Sequence, residues 1–277
     1  PIVFWKSKVL IEQILEELRK HLIVGRFHQT ILECNSYIKR YPKNGELHEL
    51  IGLAHLGLGD TKRGKKSFEK ALKLTPNLCL AQLNLSQIHI SNKDFTHAIR
   101  ILRKLTRTDT RLDMTHRLLG KAYYFNGQYT ESEKELNAAL LVNPTDTETM
   151  FYLASIAQKN GDNDGAIQRY KSIFKKMPQS WEACYNIATI HRNAKRYSDA
   201  IYWYSNAIDI EPKNLNALIN RGVLYAESNK EARALDDFTA AIRTAPDEFQ
   251  TYIDLGAALV TRRALDTALK MYESEGP

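Results

Sequence analysis

The stretch nearest to a reactive motif is Gly59-Asp60-Thr61-Lys62-Arg63-Gly64-Lys65-Lys66. Two glycines five apart with lysine following is the spacing of a phosphate-cradling loop, in which backbone N–H groups face the phosphates and lysine offsets their charge. Two features break the match. Lys66 stands where a Ser or Thr hydroxyl should reach magnesium, and such a loop follows a β-strand. Histidines recur at one place, His21, His55, His89 and His191, with Tyr123 and Tyr225 standing there in other units. Packed helices lie roughly 10 Å apart, whereas zinc needs its ligand atoms about 2 Å away. These rings therefore read as aromatic packing, and no metal ligand set is expected. Cys34, Cys79 and Cys184 are odd in number and widely spaced, which argues against a disulfide framework or a zinc site and for a reducing intracellular compartment such as the cytoplasm. Asn84-Leu85-Ser86 is a formal glycosylation triplet, but it falls inside an expected helix. No nucleophile elbow or dinucleotide turn is present, and the carboxylates read as scattered over exposed helical places. No catalytic residue and no cofactor is expected.

The elements that carry these residues follow from a repeat. Pro42, Pro76, Pro144, Pro178, Pro212 and Pro246 share one phase of 34 residues, with Thr110 filling the missing place. Proline has no amide hydrogen and turns the preceding residue away from helix, so it marks breaks between helices. Small residues keep the phase. One series runs Gly52, Ser86, Gly120, Ala154, Ala188, Gly222 and Gly256; a second runs Gly64, Ala98, Ser132, Ala166, Ala200, Ala234 and Ala268. Small side chains at these places let two helix backbones approach. Four residues after the second series come larger groups, Cys34, Phe68, Leu102, Leu136, Tyr170, Tyr204, Phe238 and Tyr272, which complete an apolar stripe at helical spacing. Turns are expected at Gly25, Gly59, Lys93, Gly127, Gly161, Lys195, Asn229 and Arg263.

This layout resembles the tetratricopeptide repeat family, whose 34-residue helix-turn-helix units carry small residues, aromatics and a closing proline at these places. The resemblance covers residues 11–275 as seven full units and a truncated eighth, after a flank of residues 1–10. It is weakest in the first unit, where Leu18, Thr30 and Tyr37 occupy small places, and in the third, with Leu105 and Thr110. It implies an all-α fold, a right-handed α-α superhelix forming a single domain. Helix pairs are predicted at 11–42, 45–76, 79–110, 113–144, 147–178, 181–212, 215–246 and 249–274, and the concave groove is lined by the first helix of each pair.

The resemblance also assigns candidate binding residues. Asn84, Asn186 and Asn220 share a place on the first helix, with Asp254 there in the eighth unit. In family members that hold extended peptides, asparagines at this place grip the main chain, since an amide both donates and accepts. Glu16, Leu50, Leu118 and Tyr152 interrupt the ladder. Beside it, Lys121, Tyr124, Tyr152, Tyr185 and Arg192 form an aromatic and basic strip suited to a mixed apolar and acidic peptide. The carboxylate clamp of chaperone-binding members is not reproduced, because Glu182 and Asn186 replace its basic pair.

Net charge is +7, with 20 Lys+Arg against 10 Asp+Glu in residues 1–112 and 19 against 22 in the remainder. An acidic partner would suit the amino-terminal end. Nucleic-acid binding through Lys62, Lys65, Lys66, Arg100, Arg103, Lys104 and Arg107 is the weaker reading, since these lie mostly on second helices and form no base-reading motif. No apolar run is long enough to span a membrane, so no insertion is expected. The expectation is thus a non-catalytic scaffold that holds an extended or helical peptide segment of a partner protein within a larger assembly. The alternative is the substrate-recruiting arm of a larger, glycosyltransferase-like enzyme whose catalytic part lies outside this chain.

Overall fold

A computed structural model describes the backbone of residues 2–107 and 112–245, and side chains from residue 9 onward except that of Leu112. The described residues form fourteen α-helices and no strand. They fall into two compact units, Pro1–Asp146 and Thr147–Pro277. The first holds α1 (Ile2–Ile23), α2 (Phe27–Arg40), α3 (Gly45–Gly57), α4 (Thr61–Leu74), α5 (Cys79–Ser91), α6 (Phe95–Leu105), α7 (Leu112–Phe125) and α8 (Tyr129–Val142). The second holds α9 (Thr147–Lys159), α10 (Asn163–Lys176), α11 (Trp181–Asn193), α12 (Tyr197–Ile210), α13 (Leu215–Glu227) and α14 (Glu231–Thr244). The seven described hairpins match the predicted pairs. One boundary differs: α1 begins at Ile2, so the expected flank is continuous with the first helix. Thr110, Pro246 and the eighth hairpin, with Asp254, lie outside the described residues.

Helix ends are set locally. Asn44, Asp60, Asp162, Ser180 and Asn214 each accept a hydrogen bond from the amide three residues on, satisfying a donor that the first turn leaves unpaired. Pro42, Pro76, Pro144, Pro178 and Pro212 all fall between helices. All seven described turn positions named above have positive φ, from +53° at Asn229 to +84° at Gly161. Lys93, Lys195 and Asn229 adopt that backbone without being glycine.

In α3–α4, α7–α8 and α13–α14 a glycine faces a large side chain. A Cβ on Gly52, Gly120 or Gly222 would come 2.6 Å from Phe68, Leu136 or Phe238 respectively. Cys34, Phe68, Leu102, Leu136, Tyr170, Tyr204 and Phe238 are all buried to 2% exposure or less. Ser132 shows how a hydroxyl fits at a crossing: its Oγ donates to the Gly120 carbonyl at 2.7 Å. Thr30, at a small place in the first unit, is fully buried and turns its hydroxyl onto the Arg26 carbonyl. The phosphate-loop look-alike resolves into this scheme, with Gly59 in a left-handed turn and Gly64 packed against Leu56 and the Gly52 carbonyl.

The expectation that carboxylates sit only at exposed places is corrected. Glu49 and Asp237 are buried, at 6% and 4% exposure. Glu49 accepts from the Ala81 amide at 2.8 Å, capping α5 from a different helix where Leu78 has no side-chain acceptor. Asp237 receives a bidentate pair from Arg221, Nε to Oδ2 at 2.8 Å and Nη2 to Oδ1 at 2.6 Å, while Arg221 Nη1 donates to Ser205 Oγ. Such burial is tolerated only when both charges are hydrogen-bonded.

Candidate functional site

In the second unit, three of the named residues converge. Tyr185 and Arg192 lie about two turns apart on α11, and Asn220 on α13 stands 34 residues after Asn186. Asn220 Nδ2 donates to the Tyr185 hydroxyl at 3.1 Å and to the Asn216 carbonyl at 2.8 Å. Arg192 Nη1 donates to Asn220 Oδ1. Behind them, the Tyr185 ring lies 5.6 Å from that of Tyr204, and Tyr204 Oη meets Thr189 Oγ1 at 3.2 Å. Burial drives the Tyr204 hydroxyl pKa upward, so this phenol stays neutral and serves as a rigid wall.

That network divides the asparagines by role. Both amide hydrogens of Asn220 are spent on Tyr185 and Asn216, and its oxygen already accepts from Arg192. It holds the phenol and the guanidinium in place and has little left for a ligand's main chain. Asn186, one residue beyond Tyr185, is half-buried and has no side-chain hydrogen bond among the described residues. Its amide keeps the donor and acceptor capacity that a peptide could use. Tyr152 is half-buried on α9. Glu182 is exposed on the same helix as Tyr185, with Ser180 Oγ donating to it at 3.3 Å.

In the first unit, Asn84 on α5 is half-buried and donates from Nδ2 to the Leu80 carbonyl at 2.8 Å. Lys121 and Tyr124 lie on α7. Tyr124 packs edge-on to Phe125 and tilted against Tyr129, with centroids 5.3 and 5.7 Å away, and Phe125 stacks on Phe95 at 5.8 Å. Phe125 remains 47% exposed, so this strip keeps apolar surface open.

Burial pushes the Cys34 thiol up to about 12 and the Cys184 thiol up to about 11, so these two stay protonated. The histidines at the recurring place are largely buried, with side-chain exposures of 13%, 11% and 10% at His21, His89 and His191. Burial lowers the pKa of His48, His55 and His191, favouring their neutral rings. One metal-capable group does occur among the described residues, His89, Asp94 and His97. The recurring place alone could not show it, because His97 belongs to the following helix. No helix among the described residues is long and apolar enough to cross a membrane.

Comparison with known proteins places this geometry in a family. Tetratricopeptide repeat models match residues 117–173 and 153–214, and a further one matches 45–78. The BBSome complex member BBS4 of Bos taurus is 24% identical over 262 residues, covering 95% of this chain and 50% of that protein. A UDP-N-acetylglucosamine–peptide N-acetylglucosaminyltransferase of Giardia intestinalis is 28% identical over 143 residues, covering 50% of this chain but 10% of the transferase. The chain thus spans half the length of BBS4 and a small part of the transferase. Among solved structures, the APC/C hetero-tetramer Cut9–Hcn1 superposes with a TM-score of 0.64 at 17% identity, covering 87% of this chain and 48% of that one. The hairpins, their 34-residue phase and these matches agree on an all-α fold of the α-α superhelix class: the chain is a tetratricopeptide-repeat protein.

Proposed function

We propose that this chain is a non-catalytic interaction scaffold that holds a peptide segment of a partner protein against the first helices of its repeats, within a larger assembly. The observation that carries the reading is the state of α11 and α13. Tyr185, Arg192 and Asn220 are locked together while Asn186 beside them has an unspent amide. A cation and a phenol on one face of α11, with a free amide on the adjoining face, suit an extended segment with an acidic or apolar side chain and an exposed main chain. Asn84 holds the same place in the first unit, where Lys121 and Tyr124 on α7 are further candidates, and Tyr152 on α9 is a further candidate within the second unit. BBS4 is a BBSome complex member and Cut9–Hcn1 an APC/C hetero-tetramer, which supports a scaffold. At the amino-terminal end, Arg100, Arg103, Lys104 and Arg107 line a shallow hollow on α6 and fit an acidic partner surface.

The test is selection of random linear peptides on the whole chain, followed by titration of the enriched sequences. Asn186→Ala removes an amide without a protein partner, so the fold is unaffected. It should weaken binding by about tenfold, equivalent to about 1.4 kcal/mol. Asn186→Ala combined with Asn220→Ala should weaken it further. Equal affinity for wild type and both variants would reject the surface. The match to the transferase favours a second reading, in which the chain is the substrate-recruiting arm of a larger enzyme. A catalytic domain in the same full-length reading frame would decide for it.

A further inference from the structure

We infer that the turn between α5 and α6 is a binding site for one divalent transition-metal ion, held by His89, Asp94 and His97. The two imidazoles approach the carboxylate from opposite oxygens, His89 Nδ1 to Oδ2 at 2.8 Å and His97 Nδ1 to Oδ1 at 2.8 Å. The rings stack with centroids 5.5 Å apart and planes 18° from parallel. All candidate ligand atoms lie within 4.8 Å of one another. Zinc–nitrogen and zinc–oxygen bonds of about 2.0–2.2 Å set tetrahedral ligand atoms about 3.4 Å apart, so the observed spacing needs only small side-chain shifts to admit the ion. Two imidazoles and one carboxylate are a borderline donor set that suits zinc, nickel or copper rather than calcium or magnesium. Three protein ligands leave one position of a tetrahedron for water. Side-chain exposures of 11%, 37% and 54% for His89, Asp94 and His97 give the ion a path in and that water a place.

Two further observations point the same way. Asp94 stands at a helix start where aspartate normally caps the first turn, as Asp60 and Asp162 do by accepting from the Arg63 and Gly165 amides at 2.9 Å. At Asp94 the corresponding His97 amide approaches only weakly and falls short of a cap bond; both carboxylate oxygens engage the imidazoles. The backbone is also already fixed, with the Asp94 amide donating to the His89 carbonyl at 2.8 Å and Lys93 held at φ +60°. Among the described repeats only the third carries the full set. The second has His55 and Asp60, but Arg63 fills the place of His97, and a guanidinium would repel a cation.

That comparison supplies the control. His97→Arg copies the second repeat's turn, which folds with arginine at this place. Zinc chloride titrated calorimetrically into the whole chain should bind at one ion per chain. His97→Arg should weaken this by at least the 10- to 100-fold that loss of a mere outer-shell partner costs. Cobalt(II) should give the intense visible bands of a tetrahedral site without the near-ultraviolet thiolate band that Cys79 ligation would produce. Absence of stoichiometric zinc binding, equal binding by His97→Arg, or a thiolate band would each overturn the assignment.

Discussion

Arg221 and Asp237 show how much can depend on single side chains that a repeat pattern does not flag. The place of Arg221 holds Ile51, Leu85, Leu119, Leu153 and Ile187 in the second to sixth repeats, so here a guanidinium stands where those repeats have an apolar core group. Its side chain is 17% exposed and that of Asp237 6%, while Arg221 and Arg233 lie 5.8 and 5.7 Å from the Tyr225 ring centroid. Removing one partner strands the other charge. Asp237→Ala should therefore cost about 3–5 kcal/mol, read as a lower urea midpoint, while Arg221→Leu with Asp237→Leu should recover most of it. If the single and double variants unfold alike, the pair is not a unit. His191 sets a pH dependence. Burial, then Arg196 and Lys171, lower its pKa, with Asp199 and Asp164 opposing. As pH falls below the ordinary histidine value, the unfolded chain takes up a proton before the folded one, so stability is lost on acidification and is insensitive above it. His191→Tyr, the residue found at this place as Tyr123 and Tyr225, should lessen the fall of melting temperature between neutrality and mild acid, leaving the part due to His48 and His55. An unchanged slope would remove His191 from the account.

At the level of the helical hairpin, two glycines in α7–α8 separate backbone from packing effects. Gly127 sits at φ +78° with nothing within 4 Å of a built Cβ, so Gly127→Ala adds only left-handed strain, about 1–2 kcal/mol. Gly120 lies in the helix, where alanine is the better former by about 1 kcal/mol. Its Cβ, however, would meet Leu136 Cγ at 2.6 Å and the Leu136 amide nitrogen at 3.2 Å, and Leu136 is fully buried. Overpacking of about 1–3 kcal/mol should outweigh the propensity gain. A double-mutant cycle checks the distinction: Leu136→Val should couple to Gly120→Ala and be additive with Gly127→Ala. Coupling in neither case would mean the crossing relaxes freely. These elements were legible in the sequence because glycine, proline and small residues recur in phase, and each marks a backbone requirement. Lys93 and Lys195 were legible at positive φ only through that phase, since lysine carries no such signal. The side-chain partnerships were not legible: Asn220 with Arg192, Arg221 with Asp237, and His89 with His97 depend on which faces meet across helices. Repeat phase assigns a residue its place, not its neighbour.

Within each unit, the described helices pack chiefly on their neighbours in sequence. Stability is then close to a sum of hairpin terms and adjacent interfaces. A local lesion should accordingly open its own hairpin first. Asp237→Ala strikes α13–α14, at the end of the described residues, where there is one described neighbour to resist opening. Amide hydrogen exchange under native conditions should show protection falling in α13 and α14 by the full cost of the substitution. Protection should fall less in α11–α12 and stay unchanged in α3–α4 of the first unit. In the same variant the calorimetric enthalpy should exceed the van't Hoff value, because the chain no longer melts as one cooperative body. A uniform loss of protection in every helix, with equal enthalpies, would show that the lesion is felt globally and that nearest-neighbour packing does not govern this molecule. The outcome also bears on function. If α13 opens alone, Asn220 releases Arg192 and Tyr185 on α11, and peptide capture should fall in step with α13 protection while metal uptake at the α5–α6 turn is untouched.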